Sequence, residues 1–168
     1  MHTLVRLIPL TSLALALGCK EASQPPTNLG PRQAVWVPDA AATLAFEYYS
    51  GFDQPSQLIL ADASSLQMAW AQLYRGLQPK PPLPSVNFRT ERVVLAALGT
   101  RSHGGYSIRI DSLVAHELGT IVYVTATAPG SDCFTTQALT EPVHLVRVSP
   151  PPKGPVVFQQ QAVVHRCS

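Results

Sequence analysis

The chain has 168 residues, which is enough for one domain with a hydrophobic core and too few for two. Its 12 basic and 10 acidic residues nearly balance and form no basic stripe, so nucleic acid is not an expected partner. The 16 prolines and 2 methionines favour short strands joined by many turns over long helices.

The first 18 residues have the pattern of a secretory signal peptide. Arg6 gives a weakly positive start, and the apolar stretch from Leu7 to Leu17 is too short to span a bilayer. Residues 15–19, L-A-L-G-C, resemble the lipobox of bacterial lipoproteins. The resemblance implies cleavage before Cys19 and attachment of a diacylglycerol to its sulfur. The alternative is an ordinary signal peptide followed by a coincidental cysteine.

A lipid on Cys19 would hold the protein on a membrane without a spanning helix, because its acyl chains bury many methylene groups. Lys20 follows the cysteine, as in lipoproteins that are sorted to the outer membrane. The expected location is therefore the bacterial cell envelope, on the outer membrane and facing the periplasm. Residues 19–32 contain three prolines and few apolar side chains, which predicts a flexible tether before a single folded domain over residues 33–168.

Short apolar runs, and runs that alternate between apolar and polar residues, predict seven or eight strands. They cover residues 34–37, 44–49, 58–60, 93–98, 106–111, 121–128 and 143–148, with a last strand that starts at 156 and continues through 164. With one helix packed against them, these strands predict a mainly β domain. It is expected to be an antiparallel β-sandwich or a partly open barrel.

One helix is predicted after the third strand. Ser64 and Gln67 have the spacing of a capping box, and Gly76 stands where a left-handed residue often ends a helix. Apolar residues recur between these signals at helical spacing and form one stripe: Leu66, Ala69, Trp70, Leu73 and Leu77. We therefore expect Trp70 to be a core residue and not part of a binding site.

Residues 93–110 contain a buried strand, a short loop and a strand with one solvated face. Their sequence is V-V-L-A-A-L-G-T-R-S-H-G-G-Y-S-I-R-I. Between the two strands lie Gly104 and Gly105, which can adopt positive φ or allow close approach of another chain. One interpretation is a hairpin loop that needs glycine to turn. The other is a partner-binding loop formed by His103, Gly104, Gly105 and Tyr106. Neither interpretation requires catalysis.

The remaining cysteines form an even pair. With Cys19 assigned to lipid, Cys133 and Cys167 are left in a protein that is expected to be exported. A disulfide between them would close a loop of roughly 34 residues and stabilise the fold by on the order of 3–4 kcal/mol. It would also tie the end of the chain to the turn that starts at Pro129. The alternative is two unrelated thiols, which an oxidising compartment disfavours.

Known catalytic and metal-binding patterns are missing from the sequence. His116 and Glu117 begin like the helix of a zinc protease, but Thr120 stands where the second histidine belongs. No G-x-S-x-G motif or phosphate-binding loop occurs, and the histidines are scattered without ligand spacing. We therefore predict a protein that is not an enzyme and that holds no metal and no cofactor.

Two segments carry a family resemblance: G-G-Y-S-I-R-I at residues 104–110 and T-E-P-V-H-L-V-R-V at residues 140–148. With L-I-L-A-D-A-S-S-L-Q-M-A-W before them and P-G-S-D-C between them, they resemble the C-terminal domain of PrcB-type protease complex subunits. The likeness runs from Phe46 to Phe158, and His103 stands where that family often has threonine. It implies a non-catalytic lipoprotein domain that binds protein. The expected partner is an exported protease or another envelope protein.

Two alternative functions remain open. The sequence H-G-G-Y also resembles the T-G-Y loop with which chagasin-like inhibitors enter the clefts of cysteine proteases, although no R-P-W-like loop occurs near residues 146–149. In that case Tyr106 would contact a papain-like protease. A third hypothesis is a structural lipoprotein of the envelope that has no dedicated partner.

Overall fold

The computed structural model describes residues 28–167. The predicted signal peptide, Cys19 and most of the predicted tether lie outside these residues. Within the described range, no helix is both long enough and apolar enough to cross a bilayer. The described residues form one helix and eight strands, in the order β1 (Arg32–Trp36), β2 (Thr43–Glu47), β3 (Ser56–Leu60), α1 (Ala63–Leu73), β4 (Arg92–Ala97), β5 (Ser107–His116), β6 (Gly119–Pro129), β7 (Val143–Val148) and β8 (Val156–His165).

The strands form two four-stranded sheets. Sheet A has the order β1-β5-β6-β8, and sheet B has the order β2-β7-β4-β3. The helix α1 packs on one face of sheet B, and the other face of sheet B packs against sheet A, which gives three layers. This confirms the predicted mainly β sandwich with one packed helix. The described strands form no closed barrel.

The core forms around β4. Val93, Leu95 and Ala97 face α1, whereas Val94 and Ala96 face sheet A, and each of these side chains is at most 2% exposed. A strand that is buried on both faces needs an uninterrupted apolar sequence. The run V-V-L-A-A therefore predicts a buried strand correctly.

The helix begins with a capping box that differs from the predicted one. The Asp62 carboxylate accepts a hydrogen bond from the Ser65 amide at 2.7 Å, and the Ser65 hydroxyl accepts one from the Asp62 amide at 3.3 Å. The predicted capping box of Ser64 and Gln67 is therefore wrong, because the helix has its N-cap two residues earlier, at Asp62. The Ser64 hydroxyl instead donates to the Asp62 carboxylate at 2.7 Å, and this bond together with the Ser65 amide lowers the pKa of Asp62.

One side of α1 is buried against sheet B, as the predicted stripe requires. Its buried residues are Leu66, Ala69, Trp70 and Leu73. The Trp70 indole N–H donates to the carbonyl oxygen of Pro81 at 3.0 Å, so the proline-rich segment after the helix covers this side chain. Leu77, which was predicted in the same stripe, lies beyond the end of the helix and is exposed. Gly76 adopts the predicted left-handed conformation, with φ of +87°.

The hairpin interpretation of the glycine-containing loop is wrong. Because β4 belongs to sheet B and β5 to sheet A, residues 98–106 cross between the sheets and do not join two paired strands. One strand pair also departs from the antiparallel arrangement, since β8 runs parallel to β6. The chain leaves sheet A after β6, forms β7 in sheet B and then returns, which brings β8 back in the same direction as β6.

The predicted disulfide between Cys133 and Cys167 is confirmed. The two Cα atoms are 5.1 Å apart, and the bond joins the residues after β8 to the turn that follows β6. A hydrogen bond of 2.7 Å from the Gly130 amide to the carbonyl oxygen of His165 fixes the same junction. The end of the chain is therefore held against sheet A.

The residues before β1 pack at the opposite end of sheet A. Leu29 is buried, and its carbonyl oxygen accepts a hydrogen bond from the Leu118 amide at 3.0 Å. The Pro31 carbonyl oxygen accepts one from the Glu117 amide at 3.2 Å. The chain therefore enters the domain beside the turn between β5 and β6.

Candidate functional site

The loop predicted to bind a partner, residues 103–106, lies at the end of the sandwich where β5 begins and β6 ends. We call it the glycine loop. It is held by the irregular segment 130–142, which we call the Cys133 segment. The Gly104 amide donates to the carbonyl oxygen of Thr136 at 2.9 Å, and the Thr140 hydroxyl donates to the carbonyl oxygen of His103 at 3.0 Å. The two segments therefore form one surface.

Both glycines of the loop are required by packing within the chain. Gly105 has φ of +87°, and a Cβ atom there would lie 2.9 Å from the Cβ atom of Pro129. A Cβ atom on Gly104 would overlap the side chain of Thr136. The close approach expected at these glycines is thus made by the end of β6 and by the protein's own Cys133 segment.

The two larger side chains of the glycine loop are half-buried. The rings of His103 and Tyr106 are 5.0 Å apart between centroids, and the guanidinium carbon of Arg101 lies 5.8 Å from the centre of the Tyr106 ring. Tyr106 also packs against the apolar layer between the sheets. Gly105 is the exposed residue of the loop, so a partner would meet its backbone first. Partner binding by His103 and Tyr106 stays a prediction.

A groove of about 530 Å³ lies beside the glycine loop. The Glu141 amide donates to the carbonyl oxygen of Tyr48 at 2.8 Å, and this bond positions the end of β2 next to the Cys133 segment. Tyr48 is half-exposed and the side chain of Tyr49 is 64% exposed. The groove is lined by these tyrosines and by seven further residues, Gly104, Gly105, Ser107, Thr127, Thr136, Thr140 and His165.

Two further aromatic side chains lie near the tyrosines and the threonines of this groove. Phe134 is fully exposed, and it lies within about 7 Å of Thr136 because two residues of chain cannot span more. The rings of Phe46 and Tyr48 make an edge-to-face contact with centroids 5.7 Å apart. We call Phe46, Tyr48, Tyr49 and Phe134 the aromatic surface. Aromatic residues are enriched at protein–protein interfaces, so this surface is suited to binding another protein.

A second depression of about 460 Å³ has His144 at its base. This histidine is 4% exposed, and its Nδ1 atom accepts a hydrogen bond from the Ile110 amide at 2.9 Å, so the neutral ring carries its proton on Nε2. The Nε2 atom lies 3.5 Å from the hydroxyl of Thr43. Burial and the nearby Arg109 lower the pKa of His144 to about 4, although Asp111 acts in the opposite direction.

The hydrogen bond of His144 joins the two sheets. Ile110 belongs to β5 of sheet A and His144 to β7 of sheet B. The bond uses the lone pair of Nδ1, which a histidine would need in order to act as a base from that atom. The arrangement is therefore suited to a structural role.

His116 also lies in a structural position. The Nδ1 atom of His116 is 3.0 Å from the carbonyl oxygen of Gly30, at the junction where the chain enters the domain. His116 and Glu117 belong to a strand and its turn, so they do not form the zinc-protease helix that the sequence also argues against. Among residues 28–167, no group of three or more histidine, cysteine, aspartate or glutamate side chains could hold a metal ion.

Comparison with known families agrees with the sequence resemblance. Residues 92–149 match the family model of the PrcB C-terminal domain. No curated protein and no solved structure matches the chain. The PrcB match runs from the start of β4 to the residue after β7, and it includes the glycine loop and the whole Cys133 segment.

The segment that matches the PrcB family model, residues 92–149, contains only part of the aromatic surface. Phe134 lies within it, whereas Phe46, Tyr48 and Tyr49 lie before it on the edge of sheet B. The sequence interpretation did not single out Tyr49 or Phe134 as site residues. The tyrosine doublet directly before the S-G turn is a signal that points to Tyr49. No comparable pattern marks Phe134, which follows a cysteine in an irregular segment.

Proposed function

We propose that this protein is a non-catalytic, membrane-anchored accessory subunit of an exported protease, and that it binds its partner through the aromatic surface. The PrcB match supports association with a protease complex. The inhibitor and structural-lipoprotein alternatives have no feature of the described residues that favours them over this proposal.

The observation that carries the proposal is the exposure of several aromatic side chains around one groove. Exposed aromatic groups cost little conformational entropy on binding and bury a large apolar area. Phe134 is fully exposed although the disulfide at Cys133 fixes the adjacent backbone. A solvated phenyl ring next to a fixed backbone is suited to be a binding anchor and contributes nothing to the core of the isolated domain.

The position of the chain entry supports membrane attachment at the far end of the domain. Leu29 packs beside the turn between β5 and β6, whereas the aromatic surface lies at the other end of these strands. The 11 residues of β6 span roughly 35 Å at the rise of an extended strand. A tether anchored by a lipid on Cys19 would therefore leave the aromatic surface pointing away from the attachment point, toward proteins of the periplasm.

The proposal can be tested by affinity capture from detergent-solubilised membranes, with mass spectrometry to identify recovered proteins. We expect one exported protease to be recovered by the unsubstituted chain and lost by the variant Tyr49→Ala, Phe134→Ala. Both side chains are exposed, so the variant should keep its melting temperature. The matched control is Met68→Ala, Leu118→Ala, which removes two exposed apolar side chains away from the groove.

Each outcome decides a separate part of the proposal. Recovery of the protease by the control and not by the aromatic variant supports both the partner class and the surface. Equal recovery by both variants would reject the aromatic surface. If no exported protease is recovered by the unsubstituted chain, the accessory-subunit proposal is wrong.

A further inference from the structure

The strand β8 is an unprotected edge of sheet A. It pairs with β6 over ten residues without a bulge, and its other side pairs with no strand among residues 28–167. The other edge strands, β1, β2 and β3, have five residues each, and β1 and β2 also contain register shifts. Exposed edges are commonly protected by short length, bulges, proline or charge. From Val156 to Val164 the strand has no charged residue and no proline.

The sequence of this edge is self-complementary. Residues 156–164 read V-V-F-Q-Q-Q-A-V-V, which is nearly the same in both directions about Gln160. In an antiparallel pair of two such strands centred on Gln160, valines face valines at both ends and glutamines face glutamines in the middle. Phe158 of one copy faces Ala162 of the other, so a large side chain lies opposite a small one.

The backbone of β8 presents the correct groups at this centre. The carbonyl oxygen of Pro155 accepts a hydrogen bond from Thr120 of β6 at 2.9 Å, and that of His165 accepts one at 2.7 Å from Gly130, the residue directly after β6. Because alternate residues of a strand direct their N–H and C=O groups to opposite sides, the odd-numbered residues of β8 face β6 and the even-numbered residues face the open edge. The N–H and C=O groups of Gln160 therefore point outward, where two copies could exchange both bonds.

We infer that two copies of this protein associate through β8, in antiparallel register, with a two-fold axis at Gln160. The pairing joins the two copies of sheet A into one continuous sheet and gives an isologous interface, in which each copy uses the same surface. It supplies main-chain hydrogen bonds to the outward-facing N–H and C=O groups, and it covers Val164, which is 63% exposed in the single chain.

An apolar groove next to β8 fits the same arrangement. The groove has a volume of about 260 Å³ and lies beside Ala162, with Leu98, Tyr106 and Val164 among its lining residues. In the inferred register, Phe158 of the second copy stands opposite Ala162, which lines this groove. The absence of charge along β8 also favours a second copy over a charged partner strand, since the only side chains offered are apolar or amide groups.

Cysteine cross-linking of the full chain tests the register directly. In a hydrogen-bonded antiparallel pair the opposed Cα atoms are about 5.5 Å apart, which is within the range of a disulfide. We therefore expect Gln160→Cys to give a covalent dimer on mild oxidation. In Gln159→Cys the introduced cysteines of the two copies are roughly 8 Å apart and cannot form a bond without movement of the backbone. This variant should stay at the background set by the unsubstituted chain, which already contains Cys19.

Analytical ultracentrifugation of the unsubstituted chain tests whether the association occurs without a cross-link. We expect a concentration-dependent dimer that is lost in Gln160→Pro and in Gln160→Lys. Proline removes an outward N–H that β6 does not use, and lysine places two like charges opposite each other at the axis. The Gln160 side chain also accepts a hydrogen bond from the Gln57 amide group at 3.0 Å, so Gln57→Ala is the matched control and should remain dimeric.

Three results would overturn the inference. One is a monomer at every concentration together with no cross-link in Gln160→Cys. Another is equal cross-linking of Gln159→Cys and Gln160→Cys, which would mean a different register or random collision. The third is a dimer that persists in both Gln160 variants while their melting temperatures match that of the unsubstituted chain.

Discussion

We expect a single buried histidine to make the stability of this fold depend on pH. The strand β1 pairs with the second half of β5 and leaves the Ile110 amide without a strand partner on that side, and the chain shifts register directly after Ile110. His144 supplies the missing acceptor from the other sheet. Because protonation of Nδ1 would remove that acceptor, the fold requires the neutral ring.

We predict that the free energy of unfolding falls as the pH decreases from about 6.5 to about 4. The pKa of His144 is lowered to about 4, below the ordinary value of 6.5, so the unfolded chain binds the proton more readily in this range. The contribution is fully present above pH 6.5 and is lost by about pH 4. We expect this contribution to the free energy of unfolding to be on the order of 2 kcal/mol. Urea unfolding at several pH values is the measurement that checks it.

The variant His144→Gln tests the assignment. Glutamine keeps an acceptor oxygen but does not titrate, so the slope of stability against pH between 4 and 6.5 should decrease. Thr43→Val is the control, because it removes the hydroxyl near Nε2 and keeps the titrating ring. Parallel pH profiles for His144→Gln and the unsubstituted protein would show that groups other than His144 cause the dependence.

At the scale of strands and helices, hydrophobic periodicity identifies the residues of each strand or helix. It is less informative about which other strand lies beside that element. The bounds of β7 agree with the predicted strand, and the uninterrupted apolar run of β4 correctly indicates burial on both faces. Periodicity carries no information about which sheet a strand joins. The loop between β4 and β5 was therefore open to a hairpin interpretation, although it crosses the sandwich.

Local irregularities explain the other differences. Leu44, Phe46 and Tyr48 alternate with less apolar residues, a pattern that predicts a strand with these three side chains on the same face, but the register of β2 shifts between Thr43 and Ala45. As a result Ala45 is buried and Phe46 is exposed. The capping box lies two residues before the predicted one because Asp62 is also a favourable N-cap residue and its carboxylate reaches the Ser65 amide.

The candidate site was only partly predictable for a related reason. The glycine loop stands out in the sequence because two adjacent glycines interrupt strand patterns. Phe134 lies in an irregular segment without periodicity, and its exposure depends on how Cys133 and Thr136 are held by contacts distant in sequence. Such contacts become visible only in three dimensions.

The disulfide is the covalent connection between the Cys133 segment and β8. We predict that the variant Cys133→Ser, Cys167→Ser lowers the free energy of unfolding by roughly 3–4 kcal/mol, because the bond closes a loop with a sequence separation of 34 residues in the unfolded chain. For a domain of this size the melting temperature should fall by about 10 °C.

Differential scanning calorimetry with and without reductant provides the control for this prediction. Reduction should shift the unsubstituted protein to the melting temperature of the double serine variant, and the variant itself should not respond. A melting temperature that is the same in all samples would mean that the bridge does not contribute to stability. Because the bridge fixes the backbone beside Phe134, the variant should also bind the proposed partner less tightly.

At the scale of the whole molecule, the three proposed functions belong to separate regions. The chain enters beside the turn between β5 and β6, the aromatic surface lies at the opposite end of these strands, and the free edge of β8 runs along the side of sheet A between them. A membrane anchor, a partner protein and a second copy can therefore be bound at the same time. Two paired copies would present two aromatic surfaces on one membrane, which would increase the apparent affinity for a partner that has two binding sites.

The proposed membrane anchor depends on Cys19, which lies outside the described residues. We predict that Cys19→Ala leaves the protein unprocessed or moves it out of the membrane fraction, because it removes the sulfur that is proposed to carry the lipid. The measurement is metabolic labelling with an alkyne fatty acid, followed by fractionation and N-terminal sequencing. The control is the variant Cys133→Ser, Cys167→Ser, which removes the cysteines of the disulfide and should keep the label. A mature protein that is soluble, unlabelled and begins at a residue other than Cys19 would contradict the lipid anchor and leave an ordinary signal peptide as the explanation.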